Sequence, residues 1–140
     1  MLAFDHMGKH KGGKGGVIVN ISSVAGLYPE SLFPVYSATK SAVLSFSQSL
    51  ARRYNKSGVR VVVMCPGGTM TKVVGINVKA KMSNSVKATI DNSFYASIIK
   101  WLSMMQTAEH VALAVLDLIQ KGKTRAVWVS DLFCAARSKN

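Results

Sequence analysis

The sequence predicts an α/β fold, a doubly wound parallel sheet with helices on both faces, and three observations carry that prediction. Short runs at 17–22 (VIVNIS), 59–65 (VRVVVMC) and 125–130 (RAVWVS) are apolar almost without alternation. Strands of that kind are buried on both faces, as parallel strands are. A segment with apolar residues at three- and four-residue spacing lies between the first two runs, and a second such segment precedes the third. The order strand, helix, strand, irregular region, helix, strand then calls for right-handed crossovers within one parallel sheet.

Each element has its own warrant. Gly15 and Gly16 precede the first strand and Ser23 follows it. From Tyr36 to Tyr54, the positions Ala38, Ala42, Val43, Phe46, Leu50 and Tyr54 make the apolar face of one amphipathic helix, which the turn residues Asn55 to Gly58 end. Pro66 and Gly67 stop the second strand. Residues 70–105 are less regular, with Gly75, Lys-rich and Asn/Ser-rich turns, and an apolar stretch holding Trp101, Met104 and Met105. Thr107 is placed to cap a helix that runs to about Gln120 with Val111, Val115, Leu118 and Ile119 on one face. Gly122 closes that helix before the third strand.

Composition narrows the function. A chain of 140 residues makes one domain able to bury a core, and 49% hydrophobic residues without repeats exclude a disordered tract. Cys65 and Cys134 form neither a disulfide framework nor a metal motif, and Cys65, at the end of an apolar strand, reads as a buried thiol. His6, His10 and His110 share no ligand spacing, so no metal site is expected. No secretory leader is visible in MLAFDHMGKHKGGKGG, and no run reaches the roughly 18 apolar residues of a membrane span. A cytoplasmic, reduced protein is expected. Eighteen Lys and Arg against six acids give a net charge of +12. These cations run along the whole chain with no recognition motif and no interleaved aromatic residues, so specific nucleic-acid binding is not expected. Nonspecific attraction to polyanions remains open as a minor class. GKHKGGKGG lacks the phosphate-loop pattern and precedes a strand where such a loop follows one, so it reads as a basic turn.

In parallel sheets, ligands collect at the carboxyl ends of the strands. Ser22, Ser23, Cys65, Pro66 and Gly67 fall at that edge. Just beyond it, Tyr36 and Lys40 are four apart on a helix, a spacing that sets two side chains on one face about 5–6 Å apart. A phenol ordinarily ionises near pH 10, and a neighbouring cation favours the phenolate, so the pair has the composition of a proton-transfer site.

NISSVAG (20–26), YSATK (36–40), whose tyrosine follows Ser23 by thirteen residues, and PGGTMT (66–71) together resemble the short-chain dehydrogenase/reductase family. PVYSATKSAV and RAVWVSDL look most like the branch that holds insect-type alcohol dehydrogenases and 15-hydroxyprostaglandin dehydrogenase. The resemblance implies a Rossmann-like fold and an NAD(P)-dependent oxidoreductase interconverting a secondary alcohol and a ketone, with NAD favoured over NADP by the branch. It implies that Tyr36 exchanges a proton with the substrate oxygen, Ser23 orients that oxygen, and Lys40 also binds the nicotinamide ribose. Tyr36, Lys40, Pro66, Gly67, Gly68, Thr69 and Thr71 are the residues it assigns to the cofactor, with Gly68 and Thr69 offering backbone contacts and Thr71 its hydroxyl. It further implies a small lipophilic alcohol or ketone as substrate, walled by Phe94, Trp101, Met104 and Met105, and a homo-oligomer in the full-length form.

The family's glycine-rich turn, T-G-x-x-x-G-x-G, is not in the sequence, nor is its N-N-A-G strand or the acidic or basic residue that selects NAD over NADP. Residues 1–140 are therefore expected to be a partial domain, three strands of a larger sheet, with MLAFDHMGKHKGG as the end of the helix that carries the family's catalytic asparagine. Alone, such a chain is expected to be inactive. The alternative reading is a non-catalytic remnant that acts, if at all, by association with other chains.

Overall fold

The computed structural model describes residues 2–31, 33–71, 105–131 and 134–139. Three parallel strands form as expected, with ends shifted by one or two residues: β1 (Gly16–Ile21), β2 (Val59–Pro66) and β3 (Val127–Asp131). β2 takes the middle, pairing Gly16↔Val59 to Ile21↔Met64 on one side and Val63↔Val127 to Pro66↔Ser130 on the other. That place explains its unbroken apolar run, since Val59 and Val61 through Cys65 are each at most 2% exposed. Alternate residues serve two layers. Val59 and Val61 pack with Phe4, Leu50 and Ala51, whereas Val62 and Met64 pack with Ala114 and Leu118.

The sequence reading missed a fourth strand. β4 (Cys134–Lys139) runs antiparallel to β3, from Asp131↔Cys134 to Val127↔Lys139, and gives the sheet order β1-β2-β3-β4. CAARSK has no β-branched or aromatic residue, so nothing local marks it as a strand, and its pairing with the β3 edge supplies the order.

Four helices flank the sheet among the described residues: α1 (Leu2–Met7), α2 (Pro34–Ala51), α3 (Tyr54–Ser57) and α4 (Ala108–Lys121). α2 starts with Pro34 in its first turn, where a missing N–H costs nothing. It stops at Ala51, so the helix expected to reach Tyr54 is split, and Gly58 (φ 62°) closes α3. α4 matches its expected cap and face. The Thr107 hydroxyl accepts the His110 N–H at 3.2 Å, and Leu118 is fully buried. Gly122 donates its N–H to the Leu118 carbonyl at 2.9 Å, and an added Cβ would fall 2.5 Å from that oxygen, which is why glycine closes the helix.

α2 corrects the expected face. Ala38, Ala42 and Phe46 point to solvent, whereas Ser37, Ser47, Leu50 and Ala51 are buried. The serines can face the sheet because each hydroxyl is partnered. Ser37 accepts the Glu30 N–H at 3.0 Å, Ser41 donates to the Gly26 carbonyl at 2.9 Å, and Ser47 accepts from Asn20 Nδ2 at 2.8 Å. Their small side chains let the helix sit close, an advantage that apolar periodicity alone does not register. Of the expected lipophilic wall, Phe94, Trp101 and Met104 lie outside the described residues, and Met105 is buried. No helix among the described residues is long and apolar enough to cross a membrane.

Candidate active site

The site grows from the end of β1. Ser22 extends the ladder through its N–H to the Met64 carbonyl (2.8 Å), and its hydroxyl donates to the Lys40 backbone carbonyl at 2.7 Å. That bond ties α2 to the carboxyl end of the strand. Gly26 makes the approach possible, because a Cβ there would lie 2.8 Å from Ser22 Oγ and 2.9 Å from the Lys40 carbonyl. Ser23 bridges the neighbouring strand ends. Its hydroxyl accepts the Ala25 N–H at 3.2 Å and donates to the Pro66 carbonyl at 3.5 Å, the outer limit of a hydrogen bond.

Tyr36 and Lys40 share one face of the first turns of α2. Lys40 Nζ stands 5.6 Å from the centre of the Tyr36 ring and donates to the Ile21 carbonyl at 3.4 Å. The ammonium therefore lies between the phenol and the end of β1. Tyr36 is 47% exposed. An open groove of about 370 Å³ runs beside the start of α2 between Pro29, Glu30, Pro34 and Ser37, but Tyr36 does not line it.

The second arm is the exit from β2. Gly67 donates to the Ser130 carbonyl at 2.7 Å, and Thr69 Oγ1 donates to the Gly67 carbonyl at 3.0 Å. Pro66, Gly67, Gly68 and Thr69 are half-buried, and Thr71 is exposed. Gln106, which the sequence reading passed over, holds this arm in place. It is fully buried, and its Nε2 donates to the Ser130 carbonyl at 2.8 Å and to Thr69 Oγ1 at 3.4 Å. The Ser130 hydroxyl returns a bond to Gln106 Oε1 at 2.6 Å, and the Gln106 backbone pairs with Gly68 and Met70. A lone glutamine before a helix cap carries no sequence signal for this role. Gln106→Leu leaves the Ser130 hydroxyl without its buried partner, so we expect a stability loss of about 1–3 kcal/mol. Urea unfolding checks it, together with faster amide exchange at Gly67.

Cys65 is buried between the two arms, and burial pushes its thiol up from the ordinary value. Hydrogen bonds from the Ser22 side chain and the Ser23 backbone, and the charge of Lys40, offset only part of that push. A raised value means that the unfolded thiol ionises first as pH climbs, so the native contribution is intact below the ordinary thiol range and is lost above it. We expect Cys65 to resist alkylation in the native chain at mildly alkaline pH and to react in urea, as peptide mapping would show.

The structure thus brings Ser23, Tyr36, Lys40 and the residues from Pro66 to Thr71 to the carboxyl edge of β1 and β2. The family described as short chain dehydrogenase matches residues 1–91, a span that holds all of these residues. Over 75 residues the chain is 48% identical to rat (Rattus norvegicus) 15-hydroxyprostaglandin dehydrogenase, covering 52% of this chain and 28% of the relative. It is 31% identical over 137 residues to Fat body protein 2 of Drosophila melanogaster, covering 94% of this chain and 50% of that one. A solved oxidoreductase of the short chain dehydrogenase/reductase family from Burkholderia thailandensis superposes with a TM-score of 0.59 at 29% identity, over 83% of this chain and 43% of the other. L-sorbose reductase from Gluconobacter frateurii shares the fold, with a TM-score of 0.62 at 20% identity over 82% of this chain and 45% of the other. The chain spans half or less of the length of these relatives. With the matched span running unbroken from α1 through the serine, tyrosine and lysine to the turn after β2, the chain belongs to the short chain dehydrogenase family.

Proposed function

We propose that this chain carries the proton-transfer half of an NAD(P)-dependent oxidoreductase that interconverts a secondary alcohol and a ketone. The observation that carries the proposal is the placement of Lys40 Nζ, 5.6 Å from the Tyr36 ring and within reach of the Ile21 carbonyl at the open edge. The ammonium there sets a positive charge beside the phenol at the open edge. Tyr36 Oη takes the hydroxyl proton of an alcohol, or returns one to the oxygen of a ketone, while Ser23 Oγ donates to the same oxygen and orients it. When bound, the nicotinamide cofactor supplies the acceptor or donor of the hydride at the substrate carbon.

The residues present fit the nicotinamide end of such a cofactor. Lys40 offers an ammonium to ribose hydroxyls, Gly67, Gly68 and Thr69 form a held turn at the strand end, and the exposed Thr71 can reach a carboxamide. We favour NAD, in keeping with the NAD(+) in the name of the rat relative, although the L-sorbose reductase structure is described with NADPH. The substrate is a small lipophilic alcohol or ketone. The exposed Val35 (76%) and Phe46 (53%) on α2 suit a homo-oligomer in the full-length form. A cytoplasmic setting suits the free, buried Cys65 thiol.

The test is an assay of a protein that joins this chain to a cofactor-binding half, with NAD, NADP and a panel of secondary alcohols. Reduced nicotinamide should appear with at least one alcohol. A second reading, a non-catalytic chain that works by association, is favoured by the outer edge of β1, which no strand among the described residues pairs. Absence of turnover in the joined protein, with partner-chain capture intact, would favour it.

A further inference from the structure

The cations of the described residues converge in the fold. Of eleven Lys and Arg side chains described, ten lie at the amino edge of the parallel sheet, and Lys40 is the exception at the carboxyl edge. The connections α1 to β1, α2 to β2 and α4 to β3 all cross at the amino edge. They carry Lys9, Lys11, Lys14, Lys56, Lys123 and Arg125, every one exposed. Hydrogen bonds join the three connections into one face. Gly16 donates to the Gly58 carbonyl at 3.4 Å and Arg125 to the Val61 carbonyl at 2.9 Å. The Arg60 guanidinium bonds the Gly122 carbonyl and the Ile119 carbonyl, and the Lys9 stem lies over Gly58. Lys139, opposite Val127 in the register, comes to the same edge.

Helix ends account for little of this charge. α2 and α4 present their carboxyl termini here, each equivalent to about half a negative charge, which Arg52, Arg53 and Lys121 more than cover. The acids nearby are Asp117, spent on Lys121 at 2.9 Å, and Asp5, a turn back in α1. The other described acids, Glu30, Glu109 and Asp131, belong to the opposite edge. Ten cations less two acids leave eight, reduced by about one for the helix ends.

We propose that the amino edge docks the protein onto an anionic phospholipid surface. Three neighbouring strand ends span about 10 Å, so the loops make a compact face. Among the described residues no helix points its amino end outward to enter a groove, and of their Phe, Tyr and Trp side chains only Tyr54, 38% exposed, lies among the cations, too few for a stacking platform but suited to a lipid interface. Mobile headgroups can gather beneath flexible lysines without a shaped fit, each Lys or Arg near the surface contributing about a fivefold factor in affinity. Docking in this sense leaves the Tyr36 edge facing away from the membrane.

Sedimentation of the full chain with phosphatidylcholine vesicles, with or without phosphatidylserine, tests this. Binding should require phosphatidylserine and vanish near 1 M salt, where screening acts within about 3 Å. Lys56→Gln should weaken it about fivefold, and the quadruple change Lys9→Gln, Lys11→Gln, Lys56→Gln, Lys123→Gln about six-hundredfold. Arginine at the same four positions should keep it, and Lys40→Gln at the opposite edge should leave it unchanged, with circular dichroism establishing the fold of each variant. Binding that ignores phosphatidylserine, an effect of Lys40→Gln equal to that of Lys56→Gln, or tighter retention of duplex DNA than of vesicles would overturn the proposal.

Discussion

Tyr36→Phe lowers turnover about a thousandfold, within the range expected when a positioned acid–base group is removed, and leaves nicotinamide affinity within about twofold. The experiment uses a protein in which this chain is joined to a cofactor-binding half. Phenylalanine keeps the ring beside Lys40 and deletes the hydroxyl alone. Lys40 retains its bond to the Ile21 carbonyl, and the Ser22 hydroxyl still anchors α2 through the Lys40 backbone. The turn after β2 is held by Gln106 and Ser130, which Tyr36 does not touch. A cofactor affinity that falls as far as turnover would mean that the tyrosine acts mainly in binding.

The 140-residue chain by itself turns over no alcohol with NAD or NADP and self-associates at moderate concentration. It has no glycine-rich turn to bring backbone N–H groups to a pyrophosphate, so the main anchor of a dinucleotide is lacking. Net attraction from a charge of +12 does not orient a nicotinamide ring for hydride transfer. Association follows from β1. The bonds of Gly16 and Ser22 go to β2, and residues alternate along a strand, so Val17, Val19 and Ile21 direct their backbone groups to the outer edge. Among the described residues no strand pairs that edge, and Lys40 Nζ reaches one of its carbonyls, that of Ile21. Such an edge is a template for another chain. Sedimentation velocity and a nicotinamide absorbance assay are the checks, and a monomeric, active chain would refute the expectation.

The parts of the fold that could be read from residues are those where burial dictates composition. β2 has two buried faces and reads as an unbroken apolar run, and α4 shows its face because Ala114 and Leu118 must pack on β2. α2 was misread because its contact with β1 and the turn at Gly26 is made by hydroxyls, which look polar in sequence and become apolar-like only once partnered. β4 was missed because pairing, not propensity, makes it a strand. At the proposed site, Ser23, Tyr36 and Lys40 were legible as a pattern of residue types and spacing, and the fold sets them at one sheet edge. Gln106 was not, since it works by filling a buried niche whose shape depends on Thr69 and Ser130, distant in sequence.

The account stands on Ser23 and Tyr36 acting at one substrate oxygen, and a double-mutant cycle on turnover in the joined protein measures that most directly. Ser23→Ala and Tyr36→Phe are made singly and together. Groups that serve one oxygen are strongly non-additive, so the double variant should lose little more than Tyr36→Phe alone. Losses that simply add in free energy would place the two hydroxyls on separate tasks and contradict the shared site.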